Sequence, residues 1–453
     1  MKLRVTIALA FFAVLILSVF QTPVLADSTH TVQASATTGI KYSQAGTPDA
    51  SHVFGCQKPA SAIHCYGPDQ IRNAYQIQSL LNKGITGKGR TIVIVDSYQS
   101  PTIVDDLKLF NSIFGLPSAT LNIIAPDGLT PFDYSDPNMV GWSGEISLDV
   151  EWAHAVAPDA TIDLVLAKSN QDADILSATT YAVEHNLGDV ISQSFGEDER
   201  CVDPTLLKQQ HELFRKATAK KITLIASAGD QGAAQPTCDG SSYSLAASSP
   251  AAEPLVTAVG GTQLFADLTT GAYGHEVTWN ETATFGDAGG GGFSVIYKAP
   301  GYQRNVKGIG KMRGLPDVSY NAAIDYGVLT AWGVPNGVGY FYIFGGTSSG
   351  SPQWAGITAL ADQMAGKRLG FLNKAIYEIG QEKELYSRAF HDITTGDNSF
   401  TFTDANNNTV TIKGYNATQG WDPATGWGTP KVDQLLPLLL KLHSDDDDQG
   451  MDD

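Results

Sequence analysis

Short, continuous apolar runs alternate with amphipathic stretches in the first half of the chain, and this alternation restricts the fold more than any other feature. The apolar runs are TIVIVDSY (91–98), ATIDLVLA (160–167), DVISQSFG (189–196) and ITLIASAGD (222–230). The stretches between them have helical periodicity, at 103–115, 171–185 and 205–221. Apolar strands separated by helices are typical of a parallel sheet that is covered on both faces. We therefore predict an α/β fold of three layers with a mostly parallel central sheet.

The domain organisation predicted from the sequence is a single large domain. The globular pattern begins at YGPDQIRNAYQI, and no linker-like break interrupts residues 66–438. Residues 27–65 are rich in Ser, Thr, Ala and Gly, which predicts a flexible leader. The chain ends in the charge block SDDDDQGMDD, and residues 439–453 are predicted to form an acidic, disordered tail.

The first 26 residues predict a secretory signal peptide. Lys2 and Arg4 precede an apolar run, and small residues lead up to a cleavage point near Ala26. A retained N-terminal membrane anchor is the alternative interpretation. No second apolar run approaches the roughly 20 residues that span a bilayer. We expect a secreted, extracellular protein without membrane association after signal cleavage.

The charge of the chain excludes some partners. The formal net charge is −18, and it becomes −20 once Lys2 and Arg4 leave with the signal. Phosphate backbones and anionic membranes would repel such a chain, so nucleic acid is not an expected partner. Only 17 % of residues are charged, which suits a surface exposed to conditions in which carboxylates are protonated. We further expect a monomer.

The four cysteines fit an oxidising compartment. Cys56 and Cys65 bracket a short loop, whereas Cys201 and Cys238 each follow a predicted strand. We prefer the pairing 56–65 and 201–238 among the three possible connectivities, and the other two remain open. No Cys-x-x-Cys spacing is present, so the cysteines are not expected to bind a metal.

The stretch FGGTSSGSPQWAG (344–356) places Ser348 at a predicted strand-to-helix junction, with Pro352 in the first helical turn. Backbone N–H groups at a helix start can stabilise a developing oxyanion, so Ser348 is a candidate nucleophile. A helix-capping serine is the alternative interpretation. GTSSG also matches the nucleophile elbow of esterases, which would require His391 as the base.

No histidine before Ser348 has the setting of a catalytic base, and His154 is expected to pack or to face solvent. A carboxylate is the alternative base. SGEISLDVEWAHAVAPDA (143–160) predicts a helix on which Glu145 and Asp149 share one face. The apolar stripe continues at i+7 and i+11 from Glu145, so the pair is expected to face the interior or a cleft. Buried neighbouring carboxylates push their pKa values apart and create one acid and one base. A solvated acidic face is the competing interpretation.

Asp230, in LIASAGDQGAA, is the third acidic candidate because it lies just past the end of a buried strand. Ligand-facing groups of open α/β sheets cluster at the carboxyl ends of strands. The alternative is an aspartate in a turn before glycine.

Together these segments resemble the sedolisin family of serine-carboxyl peptidases. The resemblance covers residues 66–438 and implies a subtilisin-like fold with a calcium-binding region at about 390–430. Its motifs occur in the family's order: YGPDQIRNAY, GEISLDVEWAHAVAP, SAGDQG, SSPAAEPLVTAVGGT, GGGFS, RGLPDVS, GGTSSGSPQWAG and FHDITTGDN.

The resemblance assigns a role to each candidate residue. Ser348 corresponds to the nucleophile and Glu145 to the general base, with Asp149 orienting and tuning it. Asp230 corresponds to the aspartate of the oxyanion hole. Asp96, at the end of IVIVD, resembles a further carboxylate that extends the Glu–Asp chain in some members.

The resemblance also implies one structural calcium ion. Asp392 and Asp422 would supply carboxylates, while Ile393, Gly420 and Thr418 would supply backbone carbonyls. Thr418 replaces a glycine of the family pattern, which a carbonyl ligand tolerates. Oxygen-only ligation suits a hard cation such as Ca²⁺.

The sequence departs from the family pattern in two places. Family members usually carry a long folded propeptide, and residues 27–65 are too short to form one. Phe195, in SQSFG, stands where relatives often have tryptophan.

The function implied by the resemblance is a secreted, acid-active serine peptidase that cleaves proteins and peptides through a Ser-Glu-Asp triad and an acyl-enzyme. It would act as an endopeptidase or as a tripeptidyl-peptidase. An esterase using Ser348 and His391, or a non-catalytic binding protein with a peptidase fold, are the alternatives.

Overall fold

Residues 42–449 are the part of the chain that the structure, a computed structural model, describes. They belong to one compact unit, as a single large domain requires. The predicted signal peptide, residues 27–41 of the predicted leader and residues 450–453 lie outside the described residues.

Some helices begin after a capping aspartate, and some end at a glycine. The helix α4 begins earlier than predicted because Asp136 caps it, accepting the Asn138 N–H, and Pro137 occupies its first position. The α-helices of the described residues are, in chain order, α1 (Pro68–Ala74), α2 (Gln78–Leu81), α3 (Ile103–Phe114), α4 (Pro137–Val156), α5 (Asp172–Glu184), α6 (Pro204–Ala219), α7 (Gly350–Ala365), α8 (Asn373–Gln381), α9 (Lys383–Ala389) and α10 (Val432–Gln449).

The strands are mostly short and apolar. In chain order they are β1 (Tyr42–Gly46), β2 (Cys65–Tyr66), β3 (Thr91–Ser97), β4 (Thr120–Ile124), β5 (Thr161–Ala167), β6 (Val190–Gln193), β7 (Glu197–Asp198), β8 (Thr223–Ser227), β9 (Ala234–Pro236), β10 (Tyr243–Leu245), β11 (Ser248–Ser249), β12 (Thr257–Ala266), β13 (Tyr273–Thr278), β14 (Gly292–Lys298), β15 (Met312–Leu315), β16 (Val318–Asn321), β17 (Gly327–Ala331), β18 (Phe341–Phe344), β19 (Phe390–His391), β20 (Phe400–Thr403), β21 (Thr409–Ile412) and β22 (Thr429–Pro430).

Eight strands form the central sheet in the order β13-β12-β8-β6-β3-β5-β4, with β16 also paired to β12. Every pairing in this sheet is parallel except that of β12 with β13. From β3 to β8, successive strands of this sheet are joined through helices α3, α4, α5 and α6, whereas the connections from β8 to β12 and from β12 to β16 contain no α-helix. The predicted mostly parallel sheet is confirmed.

Both faces of the sheet are buried, and alternate residues of one strand enter different cores. In β3, Ile92 and Ile94 join a core that includes residues of α4 and α7. Val93 and Val95 of the same strand join a second core, with residues of α5 and α6. Because side chains alternate between the two faces of a strand, the sheet has a core on each side. The fold therefore has three layers in the order helices, sheet, helices, as predicted.

The predicted flexible leader differs from the structure over its second half. Residues 42–46 form β1, which pairs antiparallel with β18, and β18 in turn pairs with β17. Phe54 is fully buried, and Cys56 and Cys65 form a disulfide. The strand that pairs with β1 lies about 300 residues away in the sequence. The composition of residues 42–46 alone therefore does not reveal that they form a strand.

The end of the domain also differs from the prediction. Helix α10 continues to Gln449, so the predicted boundary at residue 439 falls too early. The apolar run before it explains the difference, because Leu435, Leu436 and Leu439 are buried in the core beneath this helix.

Two disulfides link the four cysteines, Cys56 to Cys65 and Cys201 to Cys238. The preferred pairing is confirmed. Within residues 42–449, the structure has no helix whose length and apolar character would suit a membrane span.

Candidate active site

The candidate residues come from four elements that meet at one edge of the sheet. Asp96 lies near the carboxyl end of β3, and Asp230 follows the carboxyl end of β8 by three residues. Glu145 and Asp149 lie on α4, which packs against β3 and α7. Ser348 lies in the turn immediately before α7. Carboxyl ends of parallel strands are where open α/β sheets hold ligands.

The backbone around Ser348 requires glycine. Strand β18 ends at Phe344, and Gly346 has φ of +102°, which L-residues rarely adopt. A Cβ atom on Gly346 would lie 2.8 Å from Oδ2 of Asp230. Residues Thr347–Ser349 then form one 3₁₀ turn that leads into α7. This turn holds Ser348 at a helix start with 4 % of its surface exposed.

Asp230 is tied to the residue that precedes the candidate nucleophile. Its Oδ1 accepts the backbone N–H of Thr347 at 2.7 Å and the Thr347 hydroxyl at 2.8 Å. The Gly229 N–H in turn donates to the Thr347 hydroxyl oxygen at 3.1 Å. The loop after β8 and the turn before α7 are therefore held together at Asp230.

Glu145 is 1 % exposed and lies among other carboxyl groups. Burial raises the pKa of Glu145 well above its usual value, the charge of Asp96 raises it further, and the Ser348 hydroxyl lowers it by hydrogen bonding. Asp230 and Asp149 also act on the pKa of Glu145, the first by charge and the second by hydrogen bonding. Four of the predicted residues therefore interact with Glu145.

Asp149 and Asp96 are both fully buried. Burial raises the pKa of Asp149 well above its usual value, and the charges of Asp96 and Glu145 add to the effect. Burial likewise raises the pKa of Asp96, to about 8. Neutral carboxyls are favoured where three acids share a site that excludes water.

The hydroxyl and carboxyl groups of this site lie near one another without forming complete hydrogen bonds. Ser348 approaches Glu145, and Ser194 approaches Asp149, closely enough to affect the pKa values. Neither contact has the distance and angle of a formed hydrogen bond, and both oxygens of Asp149 and of Asp96 are buried without such a bond to the described residues.

The two histidines considered from the sequence lie elsewhere. His154 is fully buried, its Nε2 contacts the Pro117 carbonyl at 2.9 Å, and burial lowers its pKa to about 4. The His391 ring stacks on Tyr273 at 3.7 Å between centroids, and burial lowers its pKa to about 3. The described contacts of His391 do not include Ser348, so the structure offers no support for the esterase pairing.

Phe195 follows β6 by two residues and packs near α4. Its ring centroid lies 6.3 Å from that of Trp142, which precedes Glu145 by three residues on α4. Phe195 also lines a cavity of about 30 Å³ behind the sheet edge, together with Gln193, Glu197 and residues of α5 and α6. The phenylalanine therefore packs near the helix that carries Glu145, and its side chain has no group that could form a hydrogen bond.

Two groups at the site were not predicted from the sequence. Thr347 is adjacent to Ser348 in GGTSS, but only the structure shows that its hydroxyl reaches Asp230. Ser194 precedes Phe195 and acts on the pKa of Asp149. The sequence offered one signal for Ser194. Like Asp230, it lies just after a buried strand, where the ligand-facing groups of α/β sheets cluster.

The residues of the predicted calcium region lie close together. The Asp392 carboxylate accepts the Tyr386 hydroxyl at 2.8 Å and the Gly420 N–H at 3.1 Å. The Asp422 carboxylate accepts the Thr418 N–H at 2.8 Å, and burial raises the pKa of Asp422 to about 6. Both carboxylates raise the pKa of Tyr386, so they flank the same side chain.

The oxygen atoms of this region fit a hard cation. The carbonyls of Ile393, Thr418 and Gly420 accept no hydrogen bond from the described residues. Two carboxylates and three such carbonyls match the ligands that calcium prefers. In residues 42–449, no group of three or more His, Cys, Asp or Glu side chains is arranged to hold a metal. A cation here would depend on backbone oxygens.

A three-layer α/β fold with these residues at the carboxyl edge of its sheet defines a protein of the subtilisin-like class. The profile of the Subtilase family matches residues 137–421. Kumamolisin of Bacillus sp. (strain MN-32) is 33 % identical over 87 % of this chain and 67 % of its own length. Sedolisin of Pseudomonas sp. (strain 101) is 32 % identical over 78 % of this chain and 58 % of its own length. The chain belongs to the sedolisin family of peptidases.

Two further comparisons agree with this assignment. Tripeptidyl-peptidase 1 of Rattus norvegicus is 26 % identical over 82 % of this chain and 64 % of its own length. The structure of Pseudomonas sedolisin, a serine-carboxyl proteinase, complexed with two molecules of pseudo-iodotyrostatin, superposes with a TM-score of 0.71 at 29 % identity. That match covers 84 % of this chain and 99 % of the solved one. Against the full-length sedolisin and tripeptidyl-peptidase sequences, this chain spans less than two thirds of their length.

Proposed function

We propose that the protein is a secreted, acid-active serine peptidase that hydrolyses peptide bonds of proteins and peptides. The observation that carries the proposal is the position of Glu145. It is buried beside the Ser348 hydroxyl, with Asp149 one helical turn away and Asp230 against the turn that holds Ser348. A serine next to a buried carboxylate has both a nucleophile and a base.

In the proposed reaction, the Ser348 hydroxyl oxygen attacks the carbonyl carbon of the scissile peptide bond while Glu145 takes the hydroxyl proton. The protonated Glu145 then gives this proton to the leaving amine, which departs as the C–N bond breaks and an acyl-enzyme remains. Water hydrolyses the ester by the same sequence, with Glu145 again accepting and returning one proton. Catalytic hydrogen bonds commonly tighten when substrate enters, so the proposed step does not require a complete Ser348–Glu145 hydrogen bond in the free protein.

Asp149 and Asp96 tune the base in this scheme. Because Glu145 has to accept a proton, its pKa must be matched to the working pH. The charge of Asp96 raises this pKa, whereas hydrogen bonding with Asp149 lowers it. Glu145, Asp149 and Asp96 titrate as a coupled group, so each gain or loss of a proton belongs to the three acids together. Asp149 orients Glu145 from the next helical turn, and Asp96 extends the group at the end of β3.

Asp230 serves as an oxyanion donor, together with the backbone N–H of Ser348. It fulfils this role only while it is protonated, since its ionised form repels the charge that develops on the substrate oxygen. Loss of one oxyanion donor typically costs about 10²–10³ in rate. Activity is therefore expected in acid and is expected to decline as pH rises.

Secretion and calcium complete the proposal. Two disulfides and the N-terminal sequence pattern support an oxidising, extracellular location. Asp392 and Asp422, with the carbonyls of Ile393, Thr418 and Gly420, would hold one structural calcium ion. The ion would stabilise the C-terminal loops and takes no part in the proposed chemistry.

The test is cleavage of an unfolded protein at about pH 4 by the wild-type protein and by Ser348→Ala. The proposal predicts loss of turnover in Ser348→Ala with unchanged circular dichroism. Ser349→Ala is the matched control, because within residues 42–449 the one hydrogen bond of this neighbouring hydroxyl is accepted from the Gln353 side-chain amide. Full activity in Ser348→Ala, or no turnover by the wild type at any pH, would contradict the proposal, and the second result would favour a binding protein.

A further inference from the structure

Trp332 contacts the element that carries the proposed nucleophile and also the element that carries its base. The residue directly follows β17, and 1 % of its surface is exposed. We propose that Trp332 is a positioning residue that fixes the separation of the Ser348 hydroxyl and the Glu145 carboxyl group. This inference rests on the proposed peptidase function and extends it to a residue that acts through the framework of the site.

On the side of the nucleophile, the indole ring packs against the strand that leads to Ser348. Its centroid lies 5.7 Å from that of Phe344 and 5.3 Å from that of Tyr342, and both pairs have edge-to-face geometry. Phe344 is the last residue of β18 and precedes Ser348 by four residues. Edge-to-face aromatic pairs stabilise a core beyond the area that they bury, so Trp332 restrains the end of this strand.

On the side of the base, the indole N–H of Trp332 donates to the Ser143 hydroxyl oxygen at 2.9 Å. Ser143 is fully buried on α4 and lies two residues before Glu145. The Ser143 hydroxyl donates its own proton to the Val140 carbonyl at 2.7 Å, so its oxygen is left to accept the indole N–H. Because indole is a donor only, the direction of this hydrogen bond is defined.

The backbone on both sides of Trp332 is held by buried carboxyl groups. The Ala331 N–H donates to the Glu151 carboxyl of α4 at 2.9 Å. The Gly333 N–H donates to the Asp106 carboxyl of α3 at 3.0 Å. Trp332 therefore stands on a fixed support, and its side chain sets the position of what it contacts.

The contact between Ser348 and Glu145 is sensitive to the position of α4. Successive residues of a helix are about 100° apart, so Ser143 and Glu145 point to nearly opposite sides of α4. Trp332 holds the helix from behind, while Glu145 approaches the Ser348 hydroxyl without a complete hydrogen bond. A misplacement of about 1 Å at such a site can cost about 10² in rate.

The experiment measures peptide cleavage at pH 4 by the wild type, Trp332→Phe, Ser143→Ala and the double variant. Trp332→Phe keeps an aromatic ring and removes the N–H, whereas Ser143→Ala removes its acceptor. In each single variant we expect kcat to fall about tenfold or more with little change in KM, up to the roughly 10² of a full misplacement. The double variant should lose no more than either single variant, because all three remove the same hydrogen bond.

Trp152→Phe is the matched control. Its indole N–H also links α4 to β17, by donation to the Leu329 carbonyl at 3.1 Å, but Trp152 lies about two helical turns beyond Glu145. We expect this variant to lower Tm as Trp332→Phe does and to keep the kcat of the wild type. Circular dichroism and thermal melting of all variants separate a loss of stability from a loss of positioning.

Each outcome bears on the inference. A kcat in Trp332→Phe equal to that of the wild type would overturn it, and so would losses that add in full in the double variant. An equal loss of kcat in Trp152→Phe would show a general effect of stability and would overturn it as well. If Trp332→Phe does not fold, Ser143→Ala tests the same bond with a smaller change. A wild-type protein without peptidase activity would refute the proposed function instead, so the two failures are distinguishable.

Discussion

Glu145 and Asp149 lie one helical turn apart on α4, and neither carboxyl group is more than 1 % exposed. Like charges at this spacing are unfavourable even on an exposed helix, and burial increases the cost. The pair therefore holds at least one proton in the folded protein across the acid range. In the proposed mechanism, the place of this pair beside Ser348 lets it exchange protons with the reacting groups.

Substitution of Glu145 by glutamine should remove the proposed base while leaving its shape. We expect turnover at pH 4 to fall by at least about 10², the lower end for a general base. Glu151→Gln is a matched control on the same helix, since Glu151 is equally buried and its oxygen accepts the Ala331 N–H, which an amide oxygen also does. Equal losses in both variants, measured as kcat/KM on one peptide, would argue against a special role for Glu145.

The protein should be more stable in acid than at neutral or alkaline pH. Burial raises the pKa of Asp362 to about 7 and that of Asp106 to about 6, above the value of about 3.9 in an unfolded chain. For a raised pKa, the stabilising effect is complete below about pH 4 and is lost as pH rises through the folded value. We expect Tm to fall between pH 4 and pH 8.

Asp362→Asn tests this pH dependence at one position. Oδ1 of Asp362 accepts the Leu369 N–H at 2.7 Å, which an asparagine oxygen also does, and Oδ2 has no partner among the described residues. The variant should match the wild type at pH 4 and exceed its Tm at pH 8. Asp127→Asn, at an exposed position, should leave both values unchanged. A Tm difference that does not vary with pH would contradict the explanation.

Calcium should stabilise the protein without entering the chemistry. A chelator is expected to lower Tm, because a ligand that binds only the folded state at 100 times its Kd contributes about 2.7 kcal/mol. Asp392→Asn should abolish the response of Tm to added calcium, whereas Asp404→Asn, in an exposed turn of the same region, should retain it. A melting curve that is insensitive to both chelator and calcium would contradict the proposed site.

The two disulfides should contribute unequally to stability. They close loops of sequence separation 37 and 9, and the chain-entropy model gives about 4 kcal/mol for the longer loop and about 2.5 kcal/mol for the shorter. Replacement of Cys201 and Cys238 by alanine should therefore lower the free energy of unfolding more than replacement of Cys56 and Cys65. Urea unfolding of the two double variants measures the difference, and the reverse order would count against the model.

The sequence predicted the features that depend on local pattern. Runs such as 91–98 and 160–167 became strands of the parallel sheet, and the four-residue spacing placed Glu145 and Asp149 on one face of α4. It also predicted burial of that face, although α4 is in fact buried on every side from Trp142 to Val156.

Features that depend on distant partners could not be predicted. The bond from Thr347 to Asp230 joins positions 117 residues apart, and neither residue type signals the other. The strand β1 has a weak apolar pattern and is ordered by its pairing with β18. Helix α10 extends past residue 439 because its leucines pack on the core, which outweighs the polar composition of the tail.

The pairing of β1 with β18 links residues 42–46 to the proposed nucleophile, Ser348. Strand β18 ends at Phe344, only four residues before Ser348, and residues Tyr42–Gly46 cover its backbone along one side. Removal of the residues before 47 would leave backbone amide and carbonyl groups of β18 without their hydrogen-bond partners in β1. This is the strand that leads to Ser348. Deletions that remove residues 42–46 are therefore expected to loosen the turn after β18 and, with it, the position of Ser348.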